Sequence, residues 1–123
     1  MNVVDSSGWL AYFADDENAD FFAEAIEDSA QLLVPVIVIY EVYKRVLQQR
    51  GLELAHDAVA DLYSGTVVAV DEMLALSAAK ISVETKLAMA DSMMLATARA
   101  HDAVLWTQDA DFAGLDGVKY REK

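Results

Sequence analysis

The sequence predicts a three-layer α/β/α domain built on a mainly parallel sheet of about five strands. Short apolar runs at residues 2–5 (NVVD), 32–34 (LLV), 66–71 (TVVAVD) and 103–106 (AVLW) alternate with longer segments of helical periodicity. The last run is apolar throughout, as a parallel strand covered on both faces should be. Acids follow the first and last of these runs, Asp5 and Asp109, at the carboxyl ends where open parallel sheets gather their ligands.

Length and composition narrow the class. A chain of 123 residues makes one domain, residues 1–123, able to bury about two thirds of its unfolded surface without staples. No repeat, linker or low-complexity segment interrupts it. The absence of cysteine excludes disulfides and thiolate metal sites and agrees with a reducing compartment, so a cytoplasmic location is expected. The longest apolar run, residues 32–40, contains a proline and falls far short of the roughly 20 residues that span a bilayer. No basic region precedes an apolar one at the N-terminus, so neither a signal peptide nor membrane association is expected.

Twenty-one acids against nine bases give a net charge of −12, which works against any polyanionic partner. Two explanations reconcile it with one. Some of the acids hold metal ions that engage phosphate, or the excess solvates the protein in a host of high internal salt, which the five lysines also fit.

Taken in order, Asp5 closes the first strand, and Ser6 and Ser7 are placed to cap the helix SGWLAYFA. A capping or turn role for Asp5 is the plainer alternative to a site role. Asp15, Asp16 and Glu17 are expected in the first turn of the next helix, whose apolar positions are Ala19, Phe22, Ala23 and Ile26. After the second strand, Pro35 suits a first helical turn. The segment VIVIYEVYKRVLQQR starts like a strand by composition, but Glu41, Lys44, Arg45, Gln48 and Gln49 give it a polar side and Gly51 stops it, so a helix is expected. Glu41 there is either a site acid or half of a surface ion pair with Lys44 or Arg45. Residues 52–63 form a further amphipathic helix, with His56 on its polar side. Asp71 is expected to cap a helix reaching about Lys86, and VKYRE (118–122) makes an edge strand.

Residues 87–112, LAMADSMMLATARAHDAVLWTQDADF, carry the strongest chemical signal. Asp91 stands three or four residues from Leu87, Ala88, Met94 and Leu95, so its neighbours on that helix face are apolar. A buried carboxylate there costs several kcal/mol unless a hydrogen bond, a cation or a metal compensates it. Alternatively, Asp91 lies in the first turn, stabilised by roughly 0.3–1 kcal/mol through the helix dipole. Thr107, Asp109 and Asp111 follow the next strand.

Convergence of Asp5, Glu41, Asp91 and Asp109 in one crevice would cost about 3 kcal/mol per close pair at an effective dielectric near 20, which divalent cations relieve. Oxygen-only ligands select hard ions, magnesium or manganese, typical of phosphate-ester chemistry. VVDSSGWLAYF, YEVYK, ADSMMLATARAHDAVLWT and TQDADF resemble, in order and spacing, the PIN-domain ribonucleases, most closely the VapC toxins of toxin-antitoxin pairs. The resemblance implies a metal-dependent endoribonuclease in a PIN-like fold. In it Asp5, Asp91 and Asp109 hold Mg²⁺ or Mn²⁺, Glu41 binds metal or positions the water, Ser6 and Thr107 support the acids, and Asp111 is a secondary ligand. It further implies an RNA substrate, a cognate antitoxin and a homodimer. The basic rim expected of a ribonuclease is thin, with Lys44, Arg45, Arg50, Lys86 and Arg99 its candidates. Two rival readings are a receiver-type signalling domain, with Asp71 as phosphoacceptor, and a PIN-fold binding module without activity.

Overall fold

A computed structural model describes all residues, 1–123. Five strands, β1 (Asn2–Val4), β2 (Leu32–Pro35), β3 (Thr66–Val68), β4 (Val104–Thr107) and β5 (Val118–Tyr120), form one sheet in the order β3-β2-β1-β4-β5. Every pairing is parallel. Six helices separate the strands: α1 (Ser6–Ala14) and α2 (Ala19–Ile26), α3 (Val36–Arg50) and α4 (Leu52–Leu62), then α5 (Glu72–Thr85) and α6 (Met89–Ala100). The result is the expected three-layer α/β/α domain with an entirely parallel sheet.

The chain builds outward from β1 through β2 to β3, then returns through α5 and α6 to place β4 on the other side of β1. This reversal leaves a crevice beyond the carboxyl ends of β1 and β4, the usual ligand position in such sheets. Val4 lies opposite Trp106 in the register, and Asp5 N donates to Trp106 O at 3.1 Å. The central strands are apolar on both faces, with Val3, Val4, Leu32, Val34 and Leu105 fully buried beneath Trp9, Phe22, Leu62, Leu95 and Phe112.

Several local expectations are corrected. Ser6 and Ser7 do not cap α1; Asp5 does, accepting from Gly8 N at 2.8 Å, while both serine hydroxyls turn to carboxylates. Asp15 lies in the left-handed region (φ 52°) as the C-cap of α1, and Asp16 accepts from Asn18 N in the connecting turn, so α2 starts only at Ala19. Pro35 ends β2 and is the N-cap of α3. The third strand stops at Val68, short of Asp71, which caps α5 through Leu74 N as expected. The segment from Val36 is helical despite its β-branched start, because its buried residues Val38 and Val42 recur at helical spacing.

Gly8 is demanded by close packing of α1. A β-carbon there would stand 2.6 Å from both Val4 Cγ1 and Phe22 Cε1, two fully buried side chains. We predict that Gly8→Ala costs about 1–3 kcal/mol by overpacking. Urea denaturation reads this directly, and an unchanged midpoint would show that α1 moves away freely.

Candidate active site

Asp5 is the most deeply placed acid, 2 % exposed. Its Oδ2 accepts from Thr107 Oγ1 at 2.6 Å and its Oδ1 from Gly8 N at 2.8 Å, with Ser7 Oγ 2.8 and 2.9 Å from the two oxygens. None of these donors carries charge. Burial pushes its carboxyl up to about 6, although Thr107, Gly8 and Ser7 pull the other way and the charge of Asp109 adds to the rise. Thr107 also accepts from Asp109 N at 2.9 Å, so one buried hydroxyl fixes both strand-end acids.

Asp91 occupies the first turn of α6, half-buried, where no side chain caps the helix. The dipole of that turn favours its charge, yet its carboxyl is also raised to about 6. Burial is the leading cause, followed by the charges of Asp109, Glu41, Asp5 and Asp111. Glu41, on α3, accepts from Ser6 Oγ at 2.7 Å, which ties α3 to α1. Asp109 accepts from Asp111 N at 2.9 Å and so caps the single 3-10 turn Ala110–Phe112. Asp91, Asp109 and Asp111 each offer a carboxylate oxygen within 4.8 Å of the others.

All four acids expected in the crevice therefore meet there: Asp5, Glu41, Asp91 and Asp109 line one groove of about 1110 Å³ that runs between α1, α3 and α4. The depths differ from expectation. Asp5, expected at an open strand end, is the buried one, and Asp91 takes the first-turn position that stood as the alternative to burial on an apolar face, keeping access to solvent. Asp111, expected as secondary, completes the tightest triad. This oxygen-only set, with like charges acting on Asp91, fits a hard divalent cation.

Three residues escaped sequence reasoning. Ser7 completes the donor set of Asp5. Asn18 Nδ2 donates to Gln108 Oε1 at 3.0 Å and to Glu122 O at 3.1 Å, so a buried amide pair anchors the residue that precedes Asp109. Their flanking motifs gave no periodic signal; only the polar Gln108 between Thr107 and Asp109 hinted at a buried partner. The expected basic rim is revised too, since Lys44, Arg45, Arg50 and Lys123 line the groove whereas Lys86 and Arg99 do not.

The sequence matches the PIN domain over residues 3–118. The chain belongs to the PIN-domain family. Among curated proteins none matches it by sequence. Solved structures share the PIN fold end to end. A chain of a toxin-antitoxin complex from Klebsiella pneumoniae has 23% identity and a TM-score of 0.81, covering 97% of this chain and 96% of that one. A DNA-bound VapBC from Salmonella typhimurium gives 14% identity and a TM-score of 0.78, with coverages of 99% and 97%. VapC20 from Mycobacterium tuberculosis, described as a sarcin-ricin loop cleaving toxin, gives 20% identity and a TM-score of 0.73, with coverages of 96% and 98%. In this PIN domain Asp71 only caps α5 beyond the edge strand β3, so the receiver reading is displaced by the family match. No helix is long and apolar enough to cross a membrane.

The raised carboxyls give a signed prediction. Between the ordinary aspartate value of 3.8 and about 6, the folded state holds protons that the unfolded chain releases. Stability from these groups is thus fully present below the lower value and lost as pH rises through the upper one. Asp5 alone accounts for roughly 3 kcal/mol at most. We predict that in chelator the melting temperature falls by several degrees between pH 5 and pH 7.5, and that Asp91→Asn flattens the fall. Parallel thermal melts of the two proteins check it; identical slopes would show that Asp91 is not under repulsion.

Proposed function

We propose that this PIN domain is a metal-dependent endoribonuclease that hydrolyses RNA phosphodiester bonds and acts as the toxin of a toxin-antitoxin pair. The observation that carries this reading is the convergence of four acids from the β1 end, α3, α6 and the β4 end in one groove, with Asp111 within reach of Asp91 and Asp109 and no cation among the charges acting on Asp91. Structural similarity to a sarcin-ricin loop cleaving toxin and to toxin-antitoxin complexes supports the RNA substrate and a small cognate antitoxin. Homodimer formation and a cytoplasmic setting complete the reading, both by analogy with the family.

Asp91, Asp109 and Asp111 would hold Mg²⁺ or Mn²⁺, with Asp5 and Glu41 lining the same groove. When bound, such an ion acidifies water and stabilises charge that develops on a scissile phosphate and its leaving oxygen. The chain's own residues do the rest. Ser6 holds Glu41 Oε1, which leaves Oε2 to orient a water and take its proton as the water oxygen attacks phosphorus. Thr107 fixes Asp5 and the backbone of Asp109 together, so the acids keep their spacing when the substrate arrives. Gln108, locked to Asn18, resists rotation of the loop that carries Asp109 and Asp111.

We predict that Mn²⁺ raises the melting temperature of chelator-treated protein by linkage, more at pH 7.5 than at pH 5.5, because protons compete for the same carboxylates. No shift at millimolar metal would sink the metal site. Asp91→Asn should melt no lower than wild type in chelator yet cut RNA at least 10²-fold more slowly in single turnover, having lost a ligand. Glu41→Gln should keep the metal-induced shift and lose turnover. Wild-type cleavage by both variants would overturn the site assignment, and a protein that is harmless on expression and does not co-purify with the product of a neighbouring gene would overturn the toxin reading.

A further inference from the structure

The groove extends well beyond the acids, and its charges are sorted by element. Along α3 it is lined by Tyr40, Lys44, Arg45, Gln48, Gln49 and Arg50. Asp16 from the α1–α2 turn and Asp57 and Asp61 from α4 line the same groove. Four of the chain's nine bases, Lys44, Arg45, Arg50 and Lys123, line this one groove. Other bases are committed elsewhere: Lys119 lies 4.0 Å above the Trp106 ring, Arg121 lies 4.7 Å above Phe21, and Arg99 donates to Asp116 O. In a protein of net charge −12 this concentration marks the α3 wall as the surface for a polyanion.

Tyr40 stands at the inner end of that wall, next to Glu41 in sequence. It is 58 % exposed although it lies in a groove, and Lys44 Nζ sits 5.7 Å from its ring centroid. An exposed aromatic beside an acid of the site, followed at helical spacing by cations, is the arrangement by which proteins hold single strands: bases stack on the ring while phosphates follow the bases. From Tyr40 to Arg50 the helix rises about 15 Å, long enough for a short segment of chain.

Resting on the ribonuclease reading above, we infer that α3 is the substrate track: Tyr40 stacks a nucleobase flanking the scissile phosphate, and Lys44, Arg45 and Arg50 carry the adjoining phosphates of a single strand. The acids of α4 supply the exclusion. A duplex has phosphates on both sides and would bring one backbone against Asp57 and Asp61, whereas a single strand can keep to α3. Specificity for unpaired RNA then follows from repulsion as well as attraction.

The test uses full-length Asp91→Asn protein, which retains the α3 wall but cuts slowly, in millimolar Mg²⁺. Fluorescence anisotropy measures binding of a labelled single-stranded RNA and of its duplex across a salt series. Adding Tyr40→Ala should weaken single-strand binding at least about fivefold, and Tyr40→Phe should restore it, because stacking needs the ring and not the hydroxyl. Lys44→Ala should lower the salt slope by about 0.7, as one lost phosphate contact on a single strand requires, while Lys86→Ala, off the groove, should leave it unchanged. The duplex should bind more weakly than the single strand. Unchanged single-strand affinity in Tyr40→Ala, or preference for the duplex, overturns the track while the ribonuclease reading stands. Loss of antitoxin binding with RNA affinity intact assigns Tyr40 to a protein interface and likewise overturns it. Parent protein that binds no RNA at all removes the underlying ribonuclease reading as well.

Discussion

The structure depends on how one buried carboxylate is held. Asp5 closes β1, caps α1 and accepts a hydroxyl from the end of β4, so three elements share one anionic group. An unpaired charge so deep would be costly, and the donors it has are neutral. They fix its geometry without neutralising it. Because Thr107 also accepts from Asp109 N, the central strand pairing and the spacing of the acids are one feature rather than two. Any change that separates β1 from β4 would disturb both.

Charge is used here as a stored tension. The acids around Asp91 raise its proton affinity, and the first turn of α6 offsets only part of that cost. A group of this kind is poorly satisfied alone and well satisfied by a cation, whichever molecule brings it. A metal ion and a basic side chain offered by a bound protein would, in these terms, compete for the same carboxylate oxygens.

Much of the architecture was legible from residue order. Short apolar runs ending in acids located β1 and β4, and the polar stripe through Glu41, Lys44 and Gln48 outweighed the strand-like start of α3. The positions of Asp5, Glu41, Asp91 and Asp109 in one crevice followed from parallel strands and from the family pattern. Depth was not legible, because periodicity reports which face a residue takes and not how far along the helix the cover extends. Asp91 has apolar neighbours at helical spacing, yet it stands at the open first turn, while Asp5 is roofed by a helix that its own sequence neighbourhood begins. Ser6 and Ser7 were misread as caps because a serine beside an aspartate at a helix start is ambiguous until the distant partner, Glu41 for Ser6, is known. The Asn18–Gln108 pair joins residues too far apart in the chain for local pattern to reveal.

That separation along the chain has a consequence in time. The hydrogen bonds that define the site join Asp5 to Thr107 and Asn18 to Gln108, and the triad of acids needs Asp109 and Asp111 from the last strand-end loop. A growing chain on the ribosome has β1, α1 and α3 long before it has β4. Until the final segment emerges, Asp5 lacks its Thr107 donor and Asp91 lacks the other two acids of its triad. Such dominance of long-range contacts slows folding, since loop closure must precede reward. On the ribonuclease reading proposed above, the chain being translated carries no finished site while it is still attached to the machine that makes it.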